Sequence, residues 1–285
     1  MAAPSSLDAQ FNPRLAVPDA EGILAARRRN SLAVTDTMDV RRLGYGDRPR
    51  EIYLVAGAPA RSSDRADPAV IFIHGGYWRA GAAEDNLVLA PAIEQLGAQA
   101  IFLGYPLCPA SSLAGVVEAV RGGVESILMS SGTLGIDPAR IVLAGTSAGA
   151  HLVARLLADE AVGPRISGAL LLTGIYDLTP VPLLEVNREI GIDQTDVRER
   201  SPLFDRYPAI PSVFAVGGLE PPMWRAQTFA MAALARAAGA ATTVIDVPGR
   251  HHFDLMMEIV TPESLLRQAL ARLLQRPSEF SSHEA

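Results

Sequence analysis

A nucleophilic serine needs a backbone that pushes its hydroxyl clear of its neighbours, and Gly145-Thr146-Ser147-Ala148-Gly149 has the small flanking residues for that. The motif follows the apolar run Ile141-Val142-Leu143-Ala144 and precedes a helical stretch, so it reads as a sharp strand-to-helix turn. The pattern alone is weak: with Gly and Ser each near ~7% of residues, roughly one chain in ten of this length carries it by chance. Its placement is what gives it meaning. The competing reading is a glycine-rich helix start with no chemistry.

A second glycine cluster, His74-Gly75-Gly76-Tyr77-Trp78, directly follows the apolar run Ala69-Val70-Ile71-Phe72-Ile73. Adjacent glycines let backbone N–H groups approach a ligand closely. Beside a serine nucleophile such a loop supplies oxyanion donors: the N–H groups of Gly76 and Tyr77, joined by that of Ala148, with Gly75 shaping the turn. A plain β-turn carrying a structural His74 is the alternative.

The serine also needs a base, and the chain has five histidines. His74 belongs to the glycine loop, His151 lies one helical turn past Ser147, and His283 falls in a polar tail. His251 and His252 remain, in a loop after the last expected strand, where a chain order of Ser, acid, His puts the base. His252, next to Phe253, is preferred over His251. The acid is expected after the strand ending at Val216, and Glu220 is the first carboxylate there. Asp177 and Asp205 compete with it, whereas Asp254 is too near in sequence to face His252 comfortably. Trp78, Tyr176, Trp224 and Phe253 sit close to these elements and could line an aromatic slot, although core packing suits the tryptophans equally well.

Composition removes other chemistries. All 25 basic residues are arginine. Without lysine there is no Schiff base, no Walker A lysine, no kinase β3 lysine and no Ser-Lys dyad. Cys108 is alone, so no internal disulfide and no cysteine-built metal site can form. No His-Glu-x-x-His spacing exists, and neither a metal nor a cofactor is expected. The net charge of −6 argues against a nucleic-acid partner. No signal peptide is evident at the start and no apolar run reaches the ~18 residues of a membrane span, so a cytoplasmic protein without a membrane partner is expected.

The elements that must carry these residues alternate. Strands are expected at 51–55, 69–73, 100–103, 141–144, 169–172, 212–216 and 242–247, and helices at 84–97, 112–130, 148–159, 225–238 and 262–275. Asp137-Pro138-Ala139-Arg140 reads as a turn. Short buried strands alternating with helices imply an α/β protein with a mostly parallel central sheet and helices on both faces. Residues 1–45 read as an N-terminal extension with a mobile start, its Arg27-Arg28-Arg29 run a solvated helix face without function. Residues 46–276 read as the catalytic domain, with 177–208 inserted as a small cap or lid, and 277–285 as a polar tail.

The motifs His74-Gly75-Gly76-Tyr77-Trp78, Gly145-Thr146-Ser147-Ala148-Gly149-Ala150-His151-Leu152 and Gly174-Ile175-Tyr176-Asp177-Leu178 together resemble the kynurenine formamidase (arylformamidase) group of the α/β-hydrolase fold. Ser201-Pro202, Gln227 and His252-Phe253-Asp254 match as well, and Tyr77-Trp78 separates this group from lipase-like relatives that have a third glycine there. The resemblance implies an α/β-hydrolase fold over about 45–275, with Ser147 as nucleophile, His252 as base and Glu220 as acid. The acid is often Asp in animal members. It implies cleavage of an aryl formamide such as N-formylkynurenine through an acyl-enzyme. A carboxylesterase, arylamidase or carbamate hydrolase with the same three residues is the alternative. The expected partner is a small aromatic amide or ester, and a homodimer is left open.

Overall fold

Along the central strands both alternating sets of side chains are apolar, and a strand of that kind is stable only when both faces are covered. The computed structural model describes residues 6–57 and 66–275. The expected tail 277–285, with His283, lies outside them. Helices α1 (Ser6–Phe11), α2 (Pro13–Ala16) and α3 (Ala20–Ala33) come first. Strands β1 (Val40–Gly44), β2 (Ile52–Ala56) and β3 (Asp67–Ile73) follow, then α4 (Ala90–Gln95) and β4 (Gln99–Leu103). Next are α5 (Leu113–Met129), α6 (Ser131–Leu134), β5 (Ile136–Thr146), α7 (Ala148–Leu157) and β6 (Gly168–Leu172). The chain continues through α8 (Asn187–Ile190), α9 (Gln194–Arg200), β7 (Ser212–Gly217), α10 (Pro222–Ala237), β8 (Thr242–Val247) and α11 (Leu265–Leu273).

The strands form one eight-stranded sheet in the order β1-β2-β4-β3-β5-β6-β7-β8. β2 runs antiparallel to β1 and to β4, and every other neighbouring pair is parallel. At the centre Ile71 stands level with Ile101 on one side and Leu143 on the other. Ile71, Ile101, Leu143, Leu171 and Phe214 belong to one core with α5, α7 and α10. Val70, Phe102, Val142, Leu170 and Val213 belong to the second, with α4 and α11. This is an α/β-hydrolase fold with helices on both faces of its sheet.

Three local expectations are corrected. Asp137–Arg140 is not a turn but a bulge inside β5: the chain takes five steps there, from Ile136 to Ile141, against two on β3. Residues 84–97 do not form one helix; a 3-10 segment over Ala83–Leu89 leads into α4, whose first turn carries Pro91. That ring fixes φ and lacks an N–H, so it suits a first turn and opposes a continuous helix. Residues 6–33 are three docked helices, and β1 joins the sheet ahead of position 46. The arm docks chiefly through α3, which packs along Ala83–Leu89 with Ser31 Oγ accepting from Val88 N–H at 3.2 Å, and through individual contacts made by α1. Phe11 is buried against the Trp224 ring at 6.1 Å, and Asp8 Oδ1 accepts from Glu185 N–H at 2.9 Å. Between 177 and 208 the chain folds as short helical pieces, with Asp193 and Asp196 closing a capping box on α9.

Phe72 sits in the middle of the sheet at 1% exposure, whereas Leu265 opens α11 at 67%. Phe72→Ala is expected to lower unfolding free energy by about 3–5 kcal/mol. Leu265→Ala should stay within about 0.5 kcal/mol. Urea unfolding of both variants checks this, and equal midpoints would contradict the two-faced core.

Candidate functional site

β5 ends at Thr146 and α7 begins at Ala148, leaving Ser147 alone in the turn. Its φ of 56° and ψ of −122° are strained for a residue with a side chain, at a cost of order 1–3 kcal/mol. The Ser147 N–H donates to Leu172 O on β6 at 2.9 Å, which pins the turn to the neighbouring strand. The flanking glycines are required by space. A Cβ on Gly145 would lie 2.5 Å from the backbone of Gly149, and one on Gly149 would lie 2.0 Å from Ile73 O. The first turn of α7 therefore rests directly on the end of β3.

The loop after β3 meets the same turn. A Cβ on Gly75 would fall 2.8 Å from Thr146 O and 3.0 Å from Ser147 Cβ. Gly76 has φ of 113°, and Tyr77 and Trp78 also have positive φ, at 52° and 55°. The Tyr77 hydroxyl donates to Phe11 O, and Trp78 O accepts from Cys108 N–H at 2.8 Å. Gly76 and Tyr77 line the cavity that Ser147 lines. Ala148 is the first residue of α7, so its N–H has no carbonyl one turn back to bond.

His252 and Glu220 come from the loops after β8 and β7. His252 Nδ1 lies 2.7 Å from Glu220 Oε2, and both side chains are buried. A carboxylate accepts, so Nδ1 carries the proton and Nε2 is left with its lone pair. Glu220 Oε1 accepts from Gly217 N–H at 2.8 Å. Thr173, just past β6 and at φ of 43°, ties the group together. Its hydroxyl donates to Glu220 Oε2, lies 3.0 Å from His252 Nδ1, and accepts from Trp224 Nε1–H at 3.0 Å. The Trp224 and Phe253 rings stand edge-on to His252 at 4.7 and 5.3 Å.

The competing residues are occupied elsewhere. His251 Nδ1 accepts from Phe253 N–H at 3.2 Å, and the His251 backbone N–H donates to Asp254 Oδ1 at 2.7 Å. Asp177 Oδ1 accepts from Thr179 N–H at 2.8 Å, and Asp205 pairs with Arg155. His74 stacks on Tyr105 at 4.1 Å, its Nδ1–H donating to Gly75 O at 2.8 Å. His151 donates through Nε2 to Arg200 O at 2.8 Å. Burial pushes both imidazoles down to about 3, so each is neutral.

Ser147, His252, Phe253 and the glycine loop share a cavity of about 370 Å³. The expected aromatic slot is corrected: Trp78, Tyr176 and Trp224 are at most 1% exposed and belong to the core, while Phe253 lines the cavity. Space near a motif does not say which way a ring points, and these rings fill the core below the loops. Sequence reasoning also missed Thr173, and it missed the arm, whose Arg14, Arg27 and Arg28 line the cavity with Val186 of the 177–208 segment. A lone threonine after a strand has no spacing to reveal it. Gln227 and Ser201 are both structural ties. Gln227 Oε1 accepts from Tyr176 and Asp177 N–H at 2.5 and 2.9 Å, and Ser201 Oγ accepts from Leu178 N–H at 2.9 Å. Among the described residues no cluster of three or more metal-ligating side chains occurs, and no helix is long and apolar enough to cross a membrane.

Comparison with known proteins agrees with this geometry. A sequence model of the alpha/beta hydrolase fold family matches residues 70–255. A kynurenine formamidase of Danio rerio is 29% identical over 283 residues, covering 93% of this chain and 92% of the relative. One of Salmo salar is 30% identical over 218 residues, 73% of each chain. In three dimensions an esterase of Pyrobaculum calidifontis superposes with a TM-score of 0.70 at 20% identity, covering 94% of both chains.

The buried neutral histidines make stability depend on acid. Their folded pKa lies near 3, below the unfolded value of about 6.5, so between these limits only the unfolded state holds the protons. Stability is therefore fully present above about pH 6.5 and is lost on acidification, by about 1.4 kcal/mol per pH unit for each proton. Urea titrations from about pH 7 to about pH 5 should show proton uptake on unfolding approaching two from these residues, and His74→Gln should remove part of it. The same slope in the variant would contradict a neutral His74.

Proposed function

The chain belongs to the α/β-hydrolase fold family, in its kynurenine formamidase-like group, and on that premise we propose a serine hydrolase that cleaves a small aryl formamide resembling N-formylkynurenine. That it is a hydrolase of the esterase and amidase type follows from the family itself. The finer reading rests on one observation above all: the Glu220–His252 pair fixes a tautomer whose free Nε2 belongs to a ring lining the same cavity as the strained Ser147.

In this reading Ser147 Oγ attacks the formyl carbon and its proton passes to His252 Nε2. Glu220 holds the ring and stabilises the imidazolium. The N–H groups of Gly76, Tyr77 and Ala148 bind the oxyanion, a donor in such a site being worth roughly 3–4 kcal/mol. His252 returns the proton to the arylamine nitrogen as the C–N bond breaks. A water then attacks the formyl-serine, giving one proton to His252, which passes it to Ser147 Oγ as formic acid leaves with the other and ionises in solvent. Thr173 acts as a positioning residue, since it touches Glu220 and His252 but not the cavity.

Comparing kcat/KM on N-formylkynurenine, p-nitrophenyl acetate and an aryl carbamate tests the substrate. The formamide should be the best of the three; an ester or carbamate matching it would sink the formamidase reading. Ser147→Ala should abolish turnover and labelling by a fluorophosphonate without lowering Tm, and retained turnover would exclude Ser147 as nucleophile. Thr173→Val removes one hydroxyl bonded to a charged group, worth about 1.5–3 kcal/mol. A loss of roughly tenfold to hundredfold in kcat with little change in KM is expected. A change confined to Tm would make Thr173 structural only.

A further inference from the structure

Four arginines line the cavity, and their partners differ. Arg14 pairs with Glu21, Arg28 Nε lies 3.7 Å from Asp85, and Arg79 bonds Glu189 at 2.8 Å. Arg27 has no carboxylate within ion-pair distance among the described residues. One of its terminal nitrogens donates to Met256 Sδ at 3.0 Å, and its Nε is buried without a partner. A thioether is a weak acceptor that offers no charge. Asp85 attracts the guanidinium from a greater distance, but burial is the larger effect and lowers its pKa. His74, whose neutral ring lies nearby, supplies no counter-charge.

A guanidinium taken out of water without a counter-ion is costly, and its fork matches a carboxylate with two parallel hydrogen bonds. This one faces the cavity that holds Ser147 and His252. A formyl group has no substituent, so an anion on a formamide substrate must sit on the arylamine. We propose that Arg27 anchors a carboxylate borne by the aryl leaving group, which makes the enzyme selective for anionic over neutral aryl substrates. The proposal rests on the serine-hydrolase reading of the same cavity.

The test uses the full chain and two substrate pairs, meta-acetoxybenzoate with its methyl ester and ortho-formamidobenzoate with its methyl ester. The wild type should favour each carboxylate by about tenfold or more in kcat/KM, expressed in KM. Arg27→Gln should bring that ratio close to one. Arg27→Lys, which keeps the charge without the fork, should fall between, and Arg29→Gln, exposed on the same helix, should keep the wild-type ratio. A ratio of two activities cancels partial misfolding. A wild type without preference, or an Arg27→Gln ratio within about twofold of wild type, would overturn the anchor. Selective hydrolysis of the acetates with inert formamides would remove the formamidase reading and keep the anchor. If neither pair is cleaved, the triad reading falls. Calorimetric binding of meta-hydroxybenzoate then decides: loss in Arg27→Gln supports the anchor, equal binding overturns it.

Discussion

The molecule turns on a place where no side chain fits. The carbonyl of Ile73 at the end of β3 and the backbone of Gly149 in α7 meet so closely that a single methyl group would collide. Gly145 meets Gly149 under the same restriction. Three backbones cross there, and the crossing forces Ser147 to turn with positive φ. The strain is carried by the sheet, because β3 and β5 are central strands with both faces buried. Relaxing it would require separating two parallel neighbours rather than moving a loop.

The second half of the site is built differently. Glu220 and His252 come from loops, which are adaptable, so their geometry is secured by satisfied bonds. Gly217 N–H holds one carboxylate oxygen, Thr173 holds the other, and Trp224 holds Thr173 in turn. In a buried setting such bonds reinforce each other, and an unmet one is costly. Rigid backbone on one wall and a closed hydrogen-bond network on the other give two independent ways of fixing an angle.

Much of this was legible in the sequence for a specific reason. Runs such as Ala69–Ile73 and Ala169–Leu172 are apolar at consecutive positions, which only a doubly covered strand explains, and the glycine motifs directly follow two such runs. The pairing of Glu220 with His252 could be sought because each falls just past the end of a strand. Thr173 had no such marker: its importance lies in one hydroxyl, visible only when three partners converge on it. The aromatic slot failed because ring size suits a pocket and a core alike. The arm was illegible because α1 and α2 are short, its arginines point several ways, and the face that α3 lays on Ala83–Leu89 carries no strong apolar repeat.

The arm's attachments join distant positions: Asp8 to Glu185, Gln10 to Met223, Phe11 to Trp224. Contacts across such separations carry the largest loop-closure entropy, and burial of Phe11 against Trp224 in the core offsets part of it. The sheet's own ladder contains none of these bonds, so the enclosure of the chamber rests on side-chain contacts that chain connectivity alone does not bring together.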